Sequence, residues 1–269
     1  EVREGDCIVH RARAEAHTLR GGEDGLDVLA FGRIGGDGHA TLPRAGVTWL
    51  GSRRVVGLPR GVRLAALAAF LLTAAQIPMG AITIAVDLHP LAVMTHFLLA
   101  LVVLALAVVV AVEAGSHVSG LAPPAGPSWL RKLVAWAGIP SFAALVVTGA
   151  VATASGPHPG ANEDVERLGL EISDTVYVHV RVAAAFGIGV LFIGWFLWRM
   201  RDRYPGLAAL WAGLVAVLVA QAVVGEIQYR SALPWGLVLV HVFLAAAIWA
   251  LAVALAYALW RPPSALTVS

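Results

Sequence analysis

The sequence predicts an all-α membrane protein. Six transmembrane helices form a four-helix half plus a truncated two-helix half, and a small β-rich segment precedes them. Three observations predict this. Of the 269 residues, 59% are hydrophobic and 13% charged, with mean hydropathy +0.78, whereas a soluble domain carries about 25% charged residues. Six stretches, near 64–86, 92–114, 130–153, 176–198, 206–226 and 235–259, are each apolar over the roughly 20 residues that cross a bilayer. Finally, the basic residues gather on alternate connections.

Arg53, Arg54, Arg60 and Arg63 precede the first span, and Arg131 and Lys132 the third. Arg199, Arg201 and Arg203 lie between the fourth and fifth, and Arg261 follows the sixth. The positive-inside rule makes that side cytoplasmic, so both ends of the membrane part are expected there, in a bacterial plasma membrane. The opposite connections are short or acidic: VDLHP at 86–90, the loop at 154–174 and EIQYRSALP at 226–234. The Gly-, Pro- and Ser-rich stretch at 115–128 reads as a linker between a two-helix half at 64–114 and a four-helix half at 130–260. A net charge of +2 is too small to suggest nucleic-acid binding, and the single cysteine, Cys7, forms no internal disulfide. The charged opening has no apolar core, so no signal peptide is expected.

Residues 1–57 differ from the rest. Short runs (CIVH, HTL, LDVLAFG) alternate with glycine-rich turns, which is a β pattern. The segment resembles the last strands of a cupin barrel, with His17 standing where a metal ligand would. A complete double-stranded barrel needs about twice this length, so a cytoplasmic cupin-like fragment is expected. His10, His17 and His39 are read as strand or surface histidines ahead of a metal site.

The membrane part repeats itself. A shift of 145 positions carries Ala75, Gln76, Gly80, Ile82, Leu88 and Val93 onto identical residues, and His96 onto His241, without a gap. Alanine and valine coincide easily in apolar sequence; glutamine, glycine and histidine do not. The pattern is that of an internal duplication. The same shift takes His179 to Ile34, so the helix pair at 130–198 has no counterpart upstream.

His96, His179 and His241 each fall within about the first two turns of a helix running inward, and so are expected at one depth. Ionisable residues in spans usually face the bundle interior and mark function. Paired imidazoles on neighbouring helices suit the two axial positions of a haem; a neutral histidine bonded across helices is the alternative for each. Ala183–Ala185, Gly187 and Gly189 leave room for close approach or for a ring. Arg181 and Arg230 are candidates to pair with a haem propionate. Gln76 and Gln221 are expected to bond between helices. His89, His117 and His158 lie in loops and receive no ligand role. Phosphate-binding, hydrolase and zinc-protease motifs do not occur, which leaves any chemistry to a cofactor.

LVVTGAVATASGPHPG at 145–160, the following LGLEI and VHVR, and VGEIQYRSALPWGLVLVHVFLAAAIWA at 224–250 resemble the haem A synthase family, most closely its actinobacterial branch. The resemblance covers about residues 64–260. It implies a haem b held through His179 and His241, and a haem O substrate on the His96 side whose C8 methyl is oxidised to a formyl group. It implies an oxidoreductase of haem A biosynthesis, with membrane lipid, haem O synthase or cytochrome oxidase assembly factors as partners. The family's first two helices, with their histidine, nearby glutamate and frequent cysteine pair, have no counterpart here. A non-catalytic haem b protein, an electron carrier or haem chaperone, is the alternative reading.

Overall fold

The computed structural model describes residues 39–42, 47–50, 53–56, 60–119, 126–158 and 165–260. Three short strands, β1 (His39–Leu42), β2 (Val47–Leu50) and β3 (Arg53–Val56), form an antiparallel meander in the order β1-β2-β3. His10, His17 and the three runs that suggested a cupin fragment lie outside the described residues.

The helices follow: α1 (Arg60–Ala85), α2 (Pro90–Ser119), α3 (Ser128–Leu133), α4 (Ile139–Ser155), α5 (Ile172–Arg199), α6 (Pro205–Arg230) and α7 (Trp235–Trp260). A π-helical turn, Val134–Gly138, joins α3 to α4, so the two make one span. Pro140 explains the turn. It has no N–H to donate, and its ring would collide with the carbonyl four residues back in a regular helix. Among the described residues, six helical segments are long and apolar enough to cross a membrane. Ile77 in α1, Trp136 in the π turn and Phe243 in α7 are 77%, 84% and 72% exposed. Apolar side chains at such exposure suit lipid. The chain is a multi-pass membrane protein.

Several helix ends run past the sequence expectation, and α1 begins at Arg60 rather than near 64. α2 runs on to Ser119 into the expected linker, and α5 begins at Ile172 with Asp174 in its first turn, where an acidic group favours a helix start. α6 continues through the expected loop to Arg230, whose guanidinium pairs with Glu226 one turn back.

α1 packs on α2, α4 on α5, and α6 on α7, as antiparallel neighbours. α2 then joins the halves by packing on α7 and α4, while α5 packs on α6. Two hydrogen bonds fix the α2–α7 seam. Trp249 Nε1 donates to the Leu101 carbonyl at 2.8 Å, and the Tyr257 hydroxyl donates to the buried Glu113 carboxylate at 2.7 Å. α5 and α6 are locked where the Trp211 indole lies against Gly194 and donates to the Val190 carbonyl at 3.0 Å. A side chain at position 194 would overlap that ring. The tightest core, Leu130, Leu197, Leu214 and Leu259, belongs to the second half and lies towards the end away from the α1–α2 and α6–α7 corners.

The duplication shows in the backbone of those two corners. α1 ends with Asp87 and Leu88 at φ 52° and 57°; α6 is followed by Ala232 and Leu233 at φ 59° and 58°. Each pair lies 145 positions from the other. Leu88 N–H donates to the Thr83 carbonyl at 2.9 Å, and Leu233 N–H to the Gln228 carbonyl at 2.7 Å, again 145 apart. This six-residue closure is a Schellman cap, which takes up carbonyls that a helix end would otherwise leave bare.

Candidate functional site: a histidine frame at the corner end

His96 on α2, His179 on α5 and His241 on α7 are all half-buried. Each ring lies over a glycine of the antiparallel helix before it. A Cβ at Gly80 would stand 3.6 Å from His96 Cε1, at Gly225 3.1 Å from His241 Cε1, and at Gly149 3.0 Å from His179 Cε1. Gly80–His96 and Gly225–His241 share a spacing of 16 residues, fixed by the shared corner. The glycines here provide space: the imidazole occupies what a methyl group would fill.

His179 is also oriented. Thr148 Oγ1 donates its proton back to the Ala144 carbonyl at 2.8 Å, and stands 3.2 Å from His179 Nδ1. With its proton so used, the hydroxyl accepts, and His179 Nδ1–H donates. In that tautomer the Nε2 lone pair is left for a ligand, the second-shell arrangement that metal-binding histidines use. His241 lies within Coulomb range of His179, and its Nδ1, like that of His96, is buried with no protein partner.

Helical periodicity defines what lies on either side of the pair. Residues seven apart share a face, about 10 Å along the axis. Away from the corners, Phe186 lies seven residues from His179, Phe142 seven from Gly149, and Trp249 eight from His241. These three rings stack, Phe142 on Phe186 at 4.9 Å and on Trp249 at 4.8 Å between centroids, and form an apolar floor. Towards the corners, Ile172, Gly156 and Tyr229 continue the His179, Gly149 and Gly225 faces into a cavity of about 460 Å³, also lined by Arg167 and Leu233. Its lining stops short of the imidazoles.

The α4–α5 connection straps this end. His158 Nε2 meets the Leu233 carbonyl of the second corner, and Glu166 reaches His89 of the first at 3.7 Å. His158 and His89 therefore hold loops, whereas His117, expected in a loop, lies within α2.

Other expected residues are placed elsewhere. Arg181 is exposed, folds its guanidinium over the Tyr177 ring at 3.1 Å and donates to the Tyr177 carbonyl at 3.4 Å. Two residues are about 200° of helix, so Arg181 and His179 take opposite faces. Arg230 is engaged by Glu226. Gln76 and Gln221 do not bond between helices: both polar atoms of the Gln76 amide, and the Gln221 carbonyl oxygen, are buried without a partner. Gly187 and Gly189 face open space. Gly149, Thr148 and Arg167, which the structure brings to the site, were not among the sequence candidates.

Among the described residues, no three His, Cys, Asp or Glu gather to hold a bare metal ion. Two imidazoles, one of them oriented by a hydroxyl, are a donor set for a cofactor that brings its own equatorial nitrogens. The residues present fit a haem. Compared with known proteins, residues 44–253 match the model of the cytochrome oxidase assembly protein family, COX15-CtaA. No curated protein and no solved structure matches. The chain belongs to the cytochrome oxidase assembly protein family, the haem A synthase family.

Proposed function

We propose that the chain is a haem A synthase-type protein of haem A biosynthesis, holding haem b between His179 and His241. The observation that carries this is the Thr148–His179 hydrogen bond, which presents a free Nε2 lone pair in an otherwise apolar, half-buried setting. Haem b bound there supplies an iron that takes up and releases one electron. The chain's own residues do the rest. Gly149 and Gly225 let the imidazoles seat against the helix backbones, Thr148 sets one tautomer, and Phe142, Phe186 and Trp249 keep water from the inner side. His96 is the substrate-side histidine, facing haem O. In this reading the corner end faces outward and both ends of the membrane part are cytoplasmic, as the arginine distribution favours.

A second reading, a haem b protein without catalysis, is favoured by one observation. α1 carries no histidine, and the second histidine of α2, His117, lies 21 residues from His96, about 30 Å along the axis. The described N-terminal half therefore offers a substrate haem one histidine rather than two.

Pyridine haemochrome quantification and reduced-minus-oxidised spectra test both readings on the purified chain in detergent. A six-coordinate b-type signal is expected in the wild type and in His96→Ala, and is expected to vanish in His179→Ala and His241→Ala. A wild type that stays haem-free under adequate haem supply would sink the assignment. Conversion of added haem O by the wild type and not by His96→Ala separates the enzyme from the carrier.

A further inference from the structure

Arg167 stands in the wall of the corner-end cavity, and its Nη2 atom is buried without a hydrogen-bond partner among the described residues. Burial pushes this group down from its ordinary range. It stays charged all the same, since a guanidinium does not lose its proton in proteins. A cation partly removed from water without a counter-charge is costly. Among the described residues, the acids nearby are placed elsewhere. Glu166 is exposed and reaches His89, Glu226 holds Arg230, and Glu171 and Asp174 line a separate cavity with Thr148 and Thr175. Ser155 lines the cavity too, but spends its hydroxyl proton on the Val151 carbonyl at 2.9 Å. Arg167 and Tyr229 are the titratable groups in the lining.

The cavity is also in line with the histidine frame. Ile172, Gly156 and Tyr229 place it on the helix faces that carry His179, Gly149 and Gly225, two turns or less towards the corners. A tetrapyrrole has an apolar edge and an edge with two carboxylate arms. On one side of the histidines is the aromatic floor; on the other is a roomy cavity whose lining cation has no counter-charge among the described residues.

We propose that this cavity is the anion subsite of the histidine frame, and that Arg167 is the counter-charge for the propionate carboxylates of the haem held between His179 and His241. The inference rests on the haem reading above. It gives Arg167 the role that neither Arg181 nor Arg230 is placed to fill.

The test uses the full chain in detergent, as wild type, Arg167→Gln and Arg167→Lys. Arg167→Gln is expected to keep the six-coordinate b-type spectrum but to retain haem about tenfold less well, the order of one charge-assisted contact. Its midpoint potential is expected to fall, because a cation beside the ring favours the reduced iron. The potential should also become pH-dependent, falling as pH rises over about 5–8, because a partly buried propionate without its cation titrates in that range. His158 at the cavity rim is present in all three proteins, so comparison with the wild type removes its contribution. Arg167→Lys is expected to restore the wild-type potential and its flat pH profile. Haem-loaded Arg167→Gln with wild-type retention, potential and pH profile would overturn the inference and leave the haem reading standing. A wild type without haem removes both.

Discussion

The α1–α2 and α6–α7 hairpins are two versions of one object. They share the left-handed corner, the glycine beneath the histidine, the buried glutamine and the unpartnered imidazole Nδ1. Their surroundings differ. His241 faces a helix pair, α4–α5, that adds a second histidine, the threonine that orients it, the aromatic floor and the arginine-bearing cavity. His96 has α1 beside it, whose Leu64, Phe70, Ile77 and Ile84 are all exposed. The comparison separates two inheritances. The hairpin carries the position of a histidine; the added pair makes a pocket of it.

The largest effect should come from the element that only the second half has. Thr148→Val keeps the side-chain volume and removes the hydroxyl that stands beside His179 Nδ1, leaving the Leu145 carbonyl. Loss of such an outer-shell partner costs about tenfold to a hundredfold in metal affinity, so haem retention measured by dialysis against apomyoglobin should fall by that order. Wild-type retention in Thr148→Val would show that the pocket needs no help from Thr148 in setting its tautomer, and the contrast between the halves would narrow to the histidine count.

The glycines test whether the two hairpins hold their histidines alike. Gly225→Val drives branched methyls into a ring already 3.1 Å from the first added carbon, while at Gly80 that carbon has 3.6 Å. Overpacking costs about 1–3 kcal/mol. Haem b content is therefore expected to drop about tenfold in Gly225→Val and to stay at the wild-type level in Gly80→Val. Equal losses in both variants would mean that the first hairpin supports the haem b site as well.

The smallest effect concerns the corners. Ala232 and Asp87 both hold positive φ, which glycine adopts freely and aspartate tolerates better than alanine. Ala232→Gly should stabilise by about 1 kcal/mol, seen as a rise of about 2–4 °C in the unfolding midpoint in detergent, and Asp87→Gly by less. A loss of stability in Ala232→Gly would show that the alanine methyl packs to more advantage than the turn costs.

The sequence displays the helices because each apolar run exceeds what a soluble core helix needs, and it displays His96 and His241 because a duplication repeats them in register. It hides what the repeat does not copy. Gly149 and Thr148 belong to the pair without an upstream counterpart, and a glycine in TGAVAT looks like any small residue in a span. Arg167 sits in a loop where charge is ordinary; only the buried Nη2 sets it apart. Arg181 misleads for the opposite reason. A charge inside a span draws attention, yet its two-residue offset from His179 already places it on the other face. Arg230 falls in the stretch EIQYRSALP, which reads as a loop beyond the apolar run, whereas Glu226 and Arg230 pair one turn apart within the helix. The glutamines show a limit of another kind: their types suggested a bond between helices, and the packing leaves Gln76 with none.

The paired left-handed residues make each corner a gauge of length. With both helix ends closed by the same backbone hydrogen bonds, no slack remains between the glycine and the histidine sixteen residues on. Adding or removing one residue anywhere in that interval would turn the second helix by about 100° and carry the imidazole away from its notch. Side chains along the hairpin are free to drift over time, as the two copies have done, while insertions and deletions are not. An alignment that is free of gaps over a 145-residue shift follows from that constraint.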